Sequence, residues 1–146
     1  FTGSRRSFLK NDIFNEFQKA LLSQNSYYYI VESTGGEKIG NVKIGLIDKV
    51  NATSDLVTLI GNRKYLGKGL AKTVIEISNQ IAFINHGIRR LQGGMYETNQ
   101  ASVRAYLKSG WIEESRLKGF YWVDGKQVDR VCVACLNPNY FEGSDK

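Results

Sequence analysis

The chain has 146 residues, with 20 Lys and Arg against 14 Asp and Glu and a single His, for a net charge of +6. An apolar content of 42% with 12% aromatics fills one core of ordinary domain size and excludes a disordered chain. No apolar run nears the ~20 residues of a membrane-spanning helix, and two cysteines are too few for a disulfide scaffold. The basic excess calls for an anionic partner and leaves nucleic acid, a phosphorylated cofactor and a membrane surface all open.

The first residue is Phe rather than Met, so a trimmed chain or a fragment is expected. Ser4-Arg5-Arg6-Ser7-Phe8-Leu9-Lys10 has the look of a twin-arginine export signal, but that signal needs an apolar stretch next. The residues that follow are amphipathic instead. Ile13, Phe14, Phe17, Ala20 and Leu21 share one face of a helix expected over 11–23, capped by Asn11 or Asp12. A loop leading into a surface helix, in a cytoplasmic protein, is expected.

Strands are expected at 27–32, 38–47 and 56–60, where aromatic and β-branched residues concentrate. Gly35-Gly36 and the polar stretch 51–54 turn the chain between them. A second helix runs from Leu70 to about Asn85, with Leu70, Ala71, Val74, Ile75, Ile81 and Ala82 near one face and Gly87 at its C-cap. A strand at 91–97 follows, weakened by Gly93-Gly94. A third helix over 100–109 is capped by Thr98 or Asn99 and ended by Gly110. Asp124-Gly125 between strand formers predicts a closing hairpin. The order α β β β α β α β β is a single α/β domain over 1–146 with a mixed sheet, in which the third and fourth strands are parallel and joined by the second helix.

Two constellations carry chemistry. The loop Asn62-Arg63-Lys64-Tyr65-Leu66-Gly67-Lys68-Gly69 leads into the second helix. Its glycines let a backbone approach a ligand, and the first N–H groups of the helix have no intrahelical partner. This makes a pyrophosphate site, with Arg63, Lys64, Lys68 and Lys72 around it. It is neither a Walker loop nor a dinucleotide fingerprint, and a glycine-softened helix start with solvated lysines is the plain alternative. The second constellation is Asn99 at a strand-to-helix junction, with Ser102 and Tyr106 along one edge of the helix. Asn99 either binds a ligand or only caps the helix. Tyr106 either donates a proton or only packs.

Taken together, the order and spacing resemble the GCN5-related N-acetyltransferase (GNAT) superfamily, and most closely its RimJ/RimL-like branch. The residues that carry the resemblance are Lys38-Ile39-Gly40-Asn41-Val42, Lys64 to Ala71, Asn99, Ser102, Tyr106, Gly110-Trp111 and the Asp124-Gly125 hairpin with Asp129, spread over roughly 26–136. The resemblance implies acetyl-coenzyme A as cosubstrate and two splayed parallel strands that admit its pantetheine arm. It implies that Leu59 and Ile60 offer backbone hydrogen bonds to that arm. Lys64, Tyr65, Leu66, Gly67, Lys68, Gly69, Leu70 and Ala71 would hold the phosphates. Asn99, with Ser102 beside it, would bind near the thioester, and Tyr106 would protonate the departing thiolate. Lys64 stands where many members have Gln or Arg, and Trp111 where Phe is usual. The family's first strand and helix are missing upstream of Phe1, so either the sequence begins inside the domain or another chain, in a homodimer, completes the sheet.

An ammonium acceptor must lose a proton before it attacks a thioester. Glu97, beside Asn99, is the first candidate base and Asp55 the second. His86 suits a helix C-cap better than catalysis, and with one His and no clustered carboxylates no metal site is expected. Cys132 and Cys135 have redox spacing but lie in a strand and read as buried thiols. The tyrosines Tyr27, Tyr28 and Tyr29 could stack on bases, but read better as an aromatic strand. The expected activity is direct acetyl transfer to a primary amine, either a small molecule (amino sugar, polyamine or drug-like amine) or a peptide N-terminus, with no nucleic-acid or membrane partner. An acyl-coenzyme A sensor without turnover and a basic nucleic-acid-binding module are the competing classes.

Overall fold

Strand-forming runs and amphipathic runs alternate along the chain, and the computed structural model describes residues 9–140. The twin-arginine motif is outside the described residues except for its last two positions. The first helix, α1, is Lys10–Leu22. Its cap corrects the expectation: Leu9 is the N-cap, and Asp12 sits three residues in, where its Oδ2 accepts from the Leu9 N–H at 2.9 Å. The strands are β1 Ser26–Glu32, β2 Lys38–Gly45, β3 Thr53–Ile60, β4 Arg90–Tyr96, β5 Ile112–Val123 and β6 Lys126–Leu136, and α2 (Leu70–Gln80) and α3 (Gln100–Lys108) complete the order. The second helix departs from expectation at its end: the α-helix stops at Gln80 and the last turn, Ile81–Asn85, widens into a π-helix.

The six strands form one sheet in the order β1-β2-β3-β4-β6-β5. Every pairing is antiparallel except β3 with β4, which is parallel as expected. That parallel ladder is short. It holds Thr53 to Arg90, Ser54 to Leu91 and Asp55 to Gln92, and then the strands part. Beyond that point β3 keeps only its β2 partner, from Leu56↔Ile44 to Ile60↔Gly40. This is the splay that the resemblance implied.

One face of the sheet carries the core. Val42, Ile44, Leu56, Leu91, Met95, Val131 and Val133 meet Ile75 and Ala82 of the second helical segment and Val103 and Tyr106 of α3. Trp111 is 2% exposed; its ring packs edge-on to Tyr106 at 4.8 Å, and its Nε1 donates to Asn79 Oδ1 at 3.1 Å. The closing hairpin turns on Asp124 (φ 48°) and Gly125 (φ 75°), the left-handed pair that a two-residue I′ turn requires.

Candidate active site

The cleft opens where β3 and β4 diverge. It has a volume of about 510 Å³ and passes from the helix side of the sheet to the opposite face. Leu56, Thr58, Met95, Ser102 and Tyr106 line the helix side; Asp55, Gln92, Gly94, Tyr96, Tyr121 and Arg130 line the other.

Tyr106 is the central polar group. The helical spacing from the Asn99 junction turns it toward the sheet, where it is 5% exposed. Its hydroxyl donates to the Leu56 carbonyl at 3.0 Å and lies 3.4 Å from Thr58 Oγ1. Burial raises its pKa above the ordinary value of 10.0, so the phenol stays protonated near neutral pH and keeps a proton to give. Asn99 is the N-cap of α3: its Oδ1 accepts from the Ser102 N–H at 3.2 Å. Asn99 and Ser102 also line the cleft, so capping and lining are two functions of the same residue.

The basic loop sits at the start of α2. Gly69 is the N-cap at φ 75°, Gly67 lies at φ 73°, and neither Cβ position would meet any atom within 4 Å. The positive φ, rather than crowding, is what asks for glycine there. The helix start has no capping side chain; the Lys72 N–H donates to the Gly69 carbonyl at 3.2 Å, which leaves the N–H groups of Leu70 and Ala71 to a ligand or to solvent.

The basic side chains of the loop are arranged differently from expectation. Lys64 Nζ pairs with Glu37 Oε2 at 2.9 Å, and Tyr65 donates its hydroxyl to the same oxygen at 2.7 Å. Asn62 adds Nδ2 to Glu37 Oε1 at 3.2 Å and caps the Arg63–Tyr65 turn through Lys64 N–H. The hydrogen bonds from Tyr65 and then Lys64 hold the Glu37 carboxyl down at about 2. Lys72 pairs with Glu76 at 2.5 Å, and Lys68 lies over the Tyr65 ring. So Lys64 braces the loop through Glu37, Lys72 is paired within α2, and Arg63 and Lys68 are the cations of this region that pair with no carboxylate among the described residues. Nothing in the sequence pointed to Glu37 as the organising acid, because its partners are 25 to 28 positions away.

The two candidate bases separate. Asp55 lines the cleft and accepts from Gln92 Nε2 at 3.0 Å. Glu97 does not line it. Its Oε1 accepts from the Asp129 N–H at 3.2 Å and its Oε2 is 3.7 Å from Arg116, so it supports the base of the hairpin. His86 is remote as well: its Nε2 lies 2.7 Å from the Tyr29 hydroxyl and its ring stacks on Tyr27 at 3.9 Å. Burial lowers its pKa and raises that of Tyr29, which suits Tyr29 as donor to a neutral ring. Cys132 and Cys135 are free and partly buried. Among the described residues no group of His, Cys, Asp and Glu could hold a metal ion, and no helix is long and apolar enough to cross a membrane.

Comparisons with known proteins agree with this architecture. A family model described as an acetyltransferase (GNAT) domain matches residues 5–112. An uncharacterized N-acetyltransferase, YokL, of an SPbeta prophage in Bacillus subtilis is 22% identical over 125 residues, covering 86% of this chain and 70% of that protein. The spermidine N(1)-acetyltransferase of Escherichia coli K12 is 24% identical over 119 residues, covering 80% of this chain but only 63% of the relative. Among solved structures, spermidine N-acetyltransferase from Vibrio cholerae in complex with CoA and spermine superposes with a TM-score of 0.85 at 19% identity, covering 92% of this chain and 79% of that one. A chimera of that enzyme and hSSAT reaches 0.88 at 18% identity, covering 97% and 84%.

Proposed function

The chain belongs to the GNAT acetyltransferase family and is an acetyl-CoA-dependent N-acetyltransferase, and on that premise we propose how its residues divide the work. The observation that carries the reading is the parting of β3 and β4 beside a buried, protonated tyrosine. Acetyl-CoA lies with its pyrophosphate on the Leu70 and Ala71 N–H groups at the start of α2 and on the loop from Lys64 to Ala71. Arg63 and Lys68 supply mobile charge, and Lys64 and Tyr65 hold the loop in shape through Glu37. The pantetheine arm runs along the free edge of β3 at Leu59 and Ile60. The thioester sits in the gap near Asn99, Ser102 and Tyr106.

The acceptor enters from the opposite face as an amine. Asp55, or a water it holds, takes the proton from the ammonium; the geometry favours Asp55 over Glu97, whose carboxylate is engaged outside the cleft. The amine nitrogen then attacks the thioester carbon, the C–S bond breaks, and Tyr106 turns its proton from the Leu56 carbonyl to the departing sulfur. A thiol pKa of about 8.5 makes the thiolate a tolerable leaving group, so the phenol assists rather than rescues the step.

The finer expectations form part of the same proposal: the RimJ/RimL-like branch, a cytoplasmic setting, and a homodimer in which the open edge of β1 is the available site for a further strand. The spermidine N-acetyltransferases among the relatives make polyamines one acceptor class to test. Isothermal titration with acetyl-CoA and a thiol-release screen over an amine panel decide the matter. Binding in the micromolar range with amine-dependent thiol release is expected. No binding at millimolar cofactor would refute the assignment, and binding without release would leave a sensor.

A further inference from the structure

The open face of the cleft carries four charged side chains: Asp55, Arg90, Glu114 and Arg130. Two of them cancel. Arg90 donates to both oxygens of Glu114, at 2.7 and 2.5 Å. The other two do not meet. Asp55 is hydrogen-bonded by the neutral Gln92 amide, and Arg130 has no carboxylate within ion-pair distance among the described residues. Its Nε is buried without any hydrogen-bond partner. A buried guanidinium donor left unpaired is unfavourable, so its position asks for an explanation.

Gly94 supplies one. Arg130 is on β6, opposite Tyr96 of β4, and its side chain lies across β4 at Gly94. A Cβ on residue 94 would collide with Nε, Nη2 and Cζ of Arg130. A glycine inside a strand often marks a place where another group must pass closely. Here the group that passes is a guanidinium, directed from β6 over β4 toward the gap with β3. Phe120 backs it, with the guanidinium carbon 5.1 Å from the ring centroid, and the rings of Tyr96 and Tyr121 pack beside it, tilted by 49° with centroids 4.1 Å apart. The cleft is thus dipolar, with one unneutralised carboxylate at Asp55 and one unneutralised guanidinium at Arg130.

We propose that the acceptor is a primary amine that also bears an anionic group, a carboxylate or a phosphate, which Arg130 binds while the amine faces Asp55 and the thioester. The inference rests on the acetyl-transfer reading above and narrows its acceptor. The planar fork of arginine donates two parallel hydrogen bonds to either anion. A polyamine has no group for Arg130 to bind, and its additional cations would face a like charge. On this ground the chain departs from its spermidine-acetylating relatives at the acceptor half of the site, while it keeps their fold.

Matched pairs of amines test it by thiol release: glucosamine 6-phosphate against glucosamine, an amino acid against its amide, and spermidine as a third arm. The anionic member of at least one pair should be favoured at least tenfold in kcat/KM, and the pair that responds tells phosphate from carboxylate. Arg130→Gln should erase that preference through the acceptor KM and leave the acetyl-CoA KM within twofold. Arg130→Lys should keep part of it, and Gly94→Ala should weaken it by displacing the guanidinium. Calorimetry on the CoA-saturated wild type reads acceptor binding apart from turnover. Spermidine outrunning every anionic amine, or no anionic preference in either turnover or binding, overturns the inference. If acetyl-CoA itself fails to bind, the acetyl-transfer reading falls; if it binds and the anionic preference is missing, only the acceptor inference falls.

Discussion

Tyr106 shows how burial sets a residue's chemistry. A phenol in water would be an indifferent acid, but here it is held against the Leu56 carbonyl with its pKa raised. Tyr106→Phe should lower kcat about 10²-fold and leave the acetyl-CoA Kd within twofold, as steady-state kinetics and calorimetry will read. Because the raised pKa keeps the acid form present, any fall in rate that Tyr106 causes should come above pH 10. Asp55→Asn should reduce kcat/KM most at neutral pH and less at alkaline pH, where the free amine arrives already neutral; Glu97→Gln should leave that pH profile in place. Glu37 makes a separate prediction. Its folded pKa, about 2, lies below the ordinary 4.5, so its contribution to stability is present above pH 4.5 and is lost as pH falls from there toward 2. Urea unfolding at pH 6 and pH 3 should show this loss, and Glu37→Gln should flatten it; solvent exposure keeps the effect small.

At the scale of elements, the informative features are ends and interruptions. The start of α2 needs left-handed backbone at Gly67 and Gly69, which costs an L-residue roughly 1 kcal/mol or more. Gly69→Ala should therefore lower stability by about 1 kcal/mol in denaturant melts and weaken acetyl-CoA binding severalfold, with Gly69→Asn milder on both counts. The loop was legible in the sequence because glycines next to a helical period mark such a start. Its bracing was not, since Glu37 reaches it only through the β2–β3 pairing. The pair Gly93-Gly94 looked like a weakness in a strand. In the fold, Gly94 is the passage for Arg130, and Gly93 lies close to Val133 and Trp111. Asn11 and Asp12, the expected caps of α1, both lie inside the helix, where Asp12 reaches back to the Leu9 N–H from the third position; polar residues near a helix start do not by themselves tell this position from the N-cap.

At the scale of the molecule, the +6 charge is spread rather than gathered. Lys38, Lys64, Lys72, Arg90, Arg116 and Lys118 each pair with a carboxylate. Of the four basic residues expected to form a cofactor clamp, Lys64 and Lys72 are ion-paired, so the proposed binding mode relies on Arg63, Lys68 and helix N–H groups. Acetyl-CoA affinity should accordingly fall only severalfold between 50 and 500 mM salt, over which the Debye length shrinks from over 10 Å to a few Å. Arg63→Gln with Lys68→Gln should flatten that dependence in calorimetry. A slope steep enough for many phosphate contacts would point back to nucleic acid.

The sequence by itself determined what depends on local periodicity and backbone preference: the element order, the parallel crossover, the I′ hairpin, the glycine loop ahead of α2 and the tyrosine on the inner edge of α3. These are written in neighbours a few residues apart. Only the tertiary structure decided which charges meet. It gave Lys64 and Tyr65 to Glu37, withdrew Glu97 toward Asp129 and Arg116, left Asp55 in the cleft, and laid Arg130 across Gly94. Each of these depends on the register between strands distant in the chain, and an ion pair or a gap formed by register leaves no period in the sequence to read.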